Sequence, residues 1–329
     1  DFCIVGSGIV GLSCALELKK LQPQSKVLVL DKGILPQGAS TKNAGFACFG
    51  SMSEILSDLK HHTEKEVFDL VELRYEGLKL LRENIGDKNI DYQQNGGFEL
   101  FFRQDKALFD TCNSKLDTIN ELLSPIFKSD VFNIKTDTFN FKNILDYSIL
   151  NKYEGQIDTG KMMQSLLQKV QTQGVMVLNA VEVQEYLSQD NSVTIKLRDL
   201  EFSATHLLIA TNAFSEKLLN LNVQPARNQV IITEPIPNLE LKGTFHLHEG
   251  YYYFRNINNR ILLGGGRHLD AIGESTTAFG LTDNIQTALQ NILYEIILPR
   301  TKNNKIEIEQ RWSGILGIGN QKKAIVKSI

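Results

Sequence analysis

Residues 1–31 constrain this chain more than any other stretch. They read Asp1-Phe2-Cys3-Ile4-Val5-Gly6-Ser7-Gly8-Ile9-Val10-Gly11, then a helical pattern that Gln22-Pro23 stops, then Val27-Leu28-Val29-Leu30-Asp31. The first apolar run has the length of a buried strand, and the spacing of Gly6, Gly8 and Gly11 follows it directly. In that setting Gly6 makes a tight turn, Gly8 lets backbone approach a pyrophosphate, and Gly11 lets the helix lie close to the sheet. Ile9, Leu12, Leu16 and Leu18 point that helix at a core, and its first amides point at anionic phosphates. Asp31 ends the second strand where a carboxylate accepts hydrogen bonds from ribose hydroxyls, which selects against a 2′-phosphate. The stretch therefore predicts a dinucleotide-binding unit.

At 329 residues the chain is long enough for two cores. A formal net charge of −3 gives no basic field, so nucleic acid is not an expected partner. No apolar run reaches the roughly 18–20 residues of a membrane span, and no secretory signal is read. Cys3, Cys14, Cys48 and Cys112 form no Cys-x-x-Cys pair and have no zinc-like His spacing, so no metal is expected. A reducing, cytoplasmic setting follows. The chain reads as a nearly complete protein whose ends are cut, Lys327-Ser328-Ile329 falling within a strand. Oligomeric state is not legible.

The segment Gly38-Ala39-Ser40-Thr41-Lys42-Asn43-Ala44-Gly45-Phe46 resembles the loop by which the D-amino-acid oxidase and glycine oxidase family of flavoproteins holds FAD. The resemblance continues in three later stretches. Val175 to Val183 is similar to the segment that returns to the nucleotide domain beside the adenine. Ala210-Thr211-Asn212-Ala213 is similar to the strand end near the pyrophosphate. Ile306 to Gly317, with Trp312-Ser313-Gly314, is similar to the Trp-Ala-Gly-like strand that returns to the flavin. Together they imply FAD held by Gly6, Gly8, Gly11, Asp31, Lys32, Ser40, Thr41, Asn43, Ala44, Gly45, Val183, Thr211 and Asn212. A flavin-linking Cys found in the sarcosine oxidase branch is absent from the last stretch, which implies non-covalent FAD. Ile315-Leu316-Gly317 stand where several members carry a carboxylate-binding Arg, and Asn228 replaces a glycine of the family's Pro-x-Arg-Gly-Gln.

The expected architecture is α/β: a Rossmann-like FAD-binding domain (1–90, 150–222 and 309–329) with a second α+β substrate domain (91–149 and 223–308) on a mixed or antiparallel sheet. Helices are predicted within Glu54 to Asn84, over Ala107 to Phe127 and after Asp158. Strands are predicted at Phe98 to Phe102, Val175 to Leu178, Val181 to Tyr186, Val193 to Leu197 and Leu207 to Ala210, while Val131 to Ile149 has no clear pattern. Gly250-Tyr251-Tyr252-Tyr253-Phe254-Arg255 and Arg260 to Arg267 read as a hairpin with a four-residue loop, Asn256 to Asn259. In that register Arg255 opposes Arg260, Tyr253 opposes Leu262 and Tyr251 opposes Gly264. Tyr251, Tyr253 and Arg255 then share a face, and the glycines Gly264 to Gly266 suggest close approach of flavin or substrate.

These residues and Arg267 are the substrate-side candidates: aromatic walls and a guanidinium fork for a carboxylate. The resemblance implies oxidation of a small amine or amino acid to an imine that water hydrolyses, with oxygen or an electron carrier as acceptor. No catalytic histidine is expected, because flavin amine oxidation does not require one, and His246, His248 and His268 read as core or solvated. Oxidation of a 2-hydroxy acid or polyol phosphate, which would promote those histidines to bases, is the nearest alternative. An NAD-dependent dehydrogenase and a non-catalytic flavin-binding module are the others.

Overall fold

The computed structural model describes residues 1–136, 139–219, 221–299, 306–319 and 322–328. Ile329, where the expected terminal strand ends, lies outside the described residues, and 322–328 form no regular element.

The glycine motif opens a four-stranded parallel sheet, ordered His206–Ile209, Phe2–Val5, Val27–Leu30, Met176–Leu178. All of Phe2–Val5 is buried, as a strand covered on both faces must be. One face takes the helix Ile9–Leu21 and the helix Thr159–Thr172, whose Leu12, Leu16, Met163 and Leu166 pack on Ile4 and Val29. Asp158 caps the second helix, accepting from the Lys161 amide at 2.9 Å. Cys3, Val5 and Leu30 fill the other face with Val183 and Ile195, beneath a meander of Glu185–Gln189, Ser192–Lys196 and Glu201–Ala204.

The second sheet has eight strands, ordered Ile308–Ile318, Gln224–Thr233, Arg260–Gly265, Tyr252–Ile257, Thr244–Leu247, Gly97–Leu100, Tyr147–Asn151, Phe132–Thr136. It is mixed: Thr244–Leu247 runs parallel to Gly97–Leu100, and the other pairings are antiparallel. Alternation gives it two characters. Phe245, Leu247, Phe254, Ile231 and Leu263 enter a core closed by Ile285 and Leu289 of the helix Asp283–Asn291. On the reverse face Val230, Leu262, Tyr253 and Trp312 meet Ala44 and Phe46 of the loop after the second strand. The α/β class with a mixed second sheet is therefore as expected, and this second contact joins the halves.

Several local expectations change. The stretch Ala107 to Phe127 is two helices, Lys106–Ser114 and Leu116–Phe127, because the backbone leaves helical geometry at Lys115 (φ −108°, ψ 2°). Val131 to Ile149 holds two strands, and the strand read at Val181 to Tyr186 begins only at Glu185. Asn228 makes no turn; it lies within a regular strand opposite Gly314. The hairpin loop has two residues: Ile257 pairs with Arg260 around Asn258 and Asn259, at φ 50° and 59°. Asn tolerates that left-handed geometry, and such a turn suits strand twist. Arg255 therefore opposes Leu262, Tyr253 opposes Gly264 and Tyr252 opposes Gly265. The segment 309–329 also begins inside the eight-stranded sheet.

Candidate active site

The glycines of the first turn have different physical reasons. A Cβ at Gly11 would stand 1.9 Å from the Gly6 carbonyl oxygen, and one at Gly6 (φ 108°) would stand 2.5 Å from that of Ala210. Both are demanded by the protein's own packing. A Cβ on Gly8 would meet only the Ser40 hydroxyl, at 3.1 Å, with no backbone nearby. The fold itself leaves room there, at the start of a helix whose N-cap residue Gly8 has no side chain to cap it. That is the cradle a pyrophosphate needs.

Asp31 stands beside the cradle. Its Oδ2 accepts from the Ser7 amide (2.9 Å) and hydroxyl (2.7 Å), and Oδ1 accepts from the Gly33 amide (2.9 Å), so the carboxylate is fixed at the strand end with acceptor capacity left. Lys32 lies over the Phe214 ring, 4.3 Å from its centroid. Val183 is buried beneath the meander. Thr211 Oγ1 is buried without a partner, at the edge where the pyrophosphate is expected. Asn212 takes positive φ (47°), and a Cβ on Gly317 would meet its Oδ1 at 2.6 Å. The residues present fit FAD.

The following loop is held from several sides. Ser40 Oγ accepts from the Ile9 amide at 2.9 Å, tying the short helix Ala39–Lys42 to the glycine turn. Thr41 Oγ1 donates to the Pro36 carbonyl at 2.8 Å, and Asn43 Oδ1 accepts from the Gly45 amide at 2.8 Å. Thr41 and Lys42 also border a largely apolar cavity of about 910 Å³, shared with Leu12, Met163 and Trp312.

Arg255 holds the far end of that loop. It is only 3% exposed; Nε donates to the Ala44 carbonyl at 2.5 Å and Nη2 to the Ile157 carbonyl at 2.9 Å. Burial, only partly offset by Asp158 and Asp91, brings its pKa down to about 10. Gly45 follows from this contact, since a Cβ there (φ 73°) would meet the Ile157 oxygen at 2.3 Å and Nη2 at 2.7 Å. The guanidinium expected to receive a substrate carboxylate thus has its Nε and one Nη2 donor committed to backbone.

Tyr253 and Phe46 meet edge-to-face at 5.6 Å, and Phe46 meets His246 the same way at 5.3 Å. Burial pushes the Tyr253 hydroxyl up to about 12. Its ring lies over Gly264, where a Cβ would clash at 2.6 Å, and a Cβ on Gly265 would meet the Tyr251 carbonyl. These glycines therefore make room for the protein's own groups. Tyr251 is not brought to the same wall: 45% exposed, it sits in a turn beside His268 at 4.4 Å. Arg267 begins the short 3₁₀ turn Arg267–Asp270, half-exposed.

Behind Phe46 runs a buried polar belt that the sequence did not reveal. Glu154, 1% exposed, accepts at Oε1 from Thr244 Oγ1 and from His246 Nε2, each at 2.6 Å. Burial opposes the imidazolium, but the Glu154 carboxylate outweighs it and raises the His246 pKa to about 9. Next to His246 across the strands is Glu99. It accepts from the Ser53 hydroxyl and, at 3.1 Å, from the Ser53 amide; burial raises its pKa despite these bonds. Cys48 is solvent-accessible, and its setting among protein atoms with the carboxylates of Glu154 and Glu54 holds its thiol well above the usual range.

The model of the DAO family, FAD dependent oxidoreductase, matches residues 1–327. The chain belongs to this family of FAD-dependent oxidoreductases. Probable oxidoreductase OrdL of Haemophilus influenzae is 21% identical over 345 residues, covering 95% of this chain and 72% of that protein. Among solved structures, glycine oxidase from Geobacillus kaustophilus superposes with a TM-score of 0.69 at 18% identity, covering 97% of this chain and 83% of its own. L-amino acid deaminase from Proteus vulgaris superposes with a TM-score of 0.74 at 16% identity, covering 100% and 81%. At these identities the structures show that this FAD-dependent oxidoreductase shares their fold. Among its described residues no helix is long and apolar enough to cross a membrane.

Proposed function

We propose that this FAD-dependent oxidoreductase oxidises a small amine or amino acid at the wall formed by Phe46, Tyr253 and His246. The observation that carries the reading is the junction itself. The loop that leaves the nucleotide cradle ends at Phe46, against a sheet face that bears an aromatic pair with a buried ion pair behind it. Names of relatives with this fold, glycine oxidase and amino acid deaminase, support the same reaction class.

When bound, FAD supplies the hydride acceptor. Gly6, Gly8, Gly11, Asp31, Lys32, Ser40, Thr41, Asn43, Ala44, Gly45, Val183, Thr211 and Asn212 are the residues proposed to hold it, without a covalent link; a Cys48 thiol kept protonated is a poor nucleophile for one. Tyr253 and Phe46 exclude water and orient the substrate's C–H bond. That bond breaks with its electron pair, the nitrogen lone pair closes a C=N bond, and water hydrolyses the imine to a carbonyl compound and a free amine or ammonia. Oxygen or an electron carrier removes the electrons.

The hydroxy-acid reading needs a neutral base. His246, charged and bonded to Glu154, is not one at neutral pH, and His248 and His268 cluster with the exposed Tyr251 instead of with Phe46 and Tyr253. Incubating the protein in air with panels of amines, amino acids and 2-hydroxy acids, and assaying carbonyl products and ammonia, tests this. Turnover confined to the amine and amino-acid panels is expected, and turnover confined to hydroxy acids overturns the proposal.

A further inference from the structure

The belt behind Phe46 places charge on the sheet face that meets the cofactor loop. A buried ion pair is often no more stabilising than well-packed apolar side chains of the same volume. Here three ionisable groups lie on one sheet face: Glu99, His246 on the neighbouring strand in register with it, and Glu154 from the segment before Gly155–Gln156. Gly97 stays a glycine because a Cβ would stand 2.3 Å from the Glu154 carboxylate. Thr244 takes the same carboxylate oxygen that His246 takes, so the pair is held from two strand positions on one side. His246 in turn sits edge-on to Phe46, the residue that ends the cofactor loop, and its strand neighbour opposite is Tyr253.

We propose that His246 is a positioning residue for the oxidation: locked to Glu154 and set against Phe46, it fixes the wall that Phe46 and Tyr253 present and places one positive charge behind it. The inference deepens the proposed function, on which its catalytic meaning rests. A cation there favours the gain of electrons by the bound cofactor. A neutral imidazole or glutamine leaves the carboxylates of Glu154, Glu99 and Glu54 unopposed and disfavours it. These three carboxylates are the charged groups that face His246 from the elements packed on it.

The test needs no substrate. The reduction potential of bound FAD is measured by equilibrium titration with dithionite against a reference dye, from pH 6 to 10, in the wild-type holoprotein and in His246→Gln and Glu154→Gln variants. His246→Gln should lower the potential between pH 6 and 8, at least five-fold in the reduction equilibrium, and the gap should close as pH rises past 9. Glu154→Gln should lie above wild type near pH 6, where its imidazolium stands without a partner carboxylate, and fall back toward wild type by pH 8.5, because its imidazole loses its proton earlier. Wild type should show an added break near pH 9. Equal potentials in all three proteins, or a Glu154→Gln offset that does not vary with pH, overturn the proposal. If neither variant folds, the wild-type break decides alone, and a line without one overturns it. Failure of the amine panel with these shifts intact would reject the substrate reading and leave the role of His246 standing.

Discussion

Arg255 donates from Nε to the carbonyl oxygen of Ala44 at 2.5 Å, so a strand of the substrate-side sheet grips the loop that leaves the nucleotide cradle. The contact converts a residue type usually associated with substrate anions into a brace for the cofactor loop, and it does so where almost no solvent reaches.

Arg255→Ala should therefore act on cofactor retention. Two buried carbonyl groups lose their donor, at a cost of about 1–3 kcal/mol each. Fluorescence titration with FAD should show binding weakened at least ten-fold and the thermal midpoint lowered. A variant that keeps its FAD and changes only the apparent KM for a carboxylate-bearing substrate would return Arg255 to the substrate side.

Gly8 and Gly11 should separate function from fold. Gly8→Val should fold, since its Cβ meets no group but the Ser40 side chain, yet bind no FAD because the added side chain fills the pyrophosphate cradle. Gly11→Ala should fail to fold or lose several kcal/mol, because its Cβ overlaps the Gly6 carbonyl oxygen. Circular dichroism melts read beside FAD content distinguish the two; a Gly8→Val protein with full FAD would remove the cradle from the account.

Gly264→Ala should displace the Tyr253 ring, whose carbons stand 2.6 Å from the added Cβ. Overpacking of this kind costs about 1–3 kcal/mol. Urea denaturation should show that loss in Gly264→Ala and a smaller one in Gly264→Ala/Tyr253→Leu, where the ring is gone. Equal losses would mean the tyrosine is free to move.

The His246–Glu154 pair gives stability a defined pH dependence. The imidazole pKa rises from an ordinary 6.5 to about 9 on folding, so its contribution is complete below pH 6.5 and disappears as pH rises through 9. Across that window the wild-type melting temperature should fall more steeply than that of His246→Gln, which has no imidazole to titrate. Parallel curves would show that the pair does not hold its proton.

The parts of this molecule that were legible in sequence are those whose cause is local. Gly6, Gly8 and Gly11 act within one turn, and Asp31 closes the next strand, so residues 1–31 carried both fold class and cofactor class. The hairpin was legible but its register was not, since Asn258 and Asn259 accept positive φ and allow a loop two residues shorter than their polarity suggests. The brace and the belt were hidden by chain distance: Arg255 bonds a residue 211 positions away, and His246 one 92 positions away. Nothing in the pattern around His246 distinguishes it from His248, which lies on the same exposed turn as Tyr251. Only the sheet, by setting Thr244–Leu247 beside Gly97–Leu100, brings its imidazole to Glu154 and Phe46.

The most direct test of amine oxidation at this site is the visible spectrum of the purified full-length protein, recorded anaerobically before and after addition of an amine and amino-acid panel. The account predicts a yellow protein whose colour is bleached by a member of that panel and, after acid precipitation, is recovered in the supernatant as FAD. A colourless protein that takes up no added FAD, or a yellow one bleached only by hydroxy acids, would contradict it.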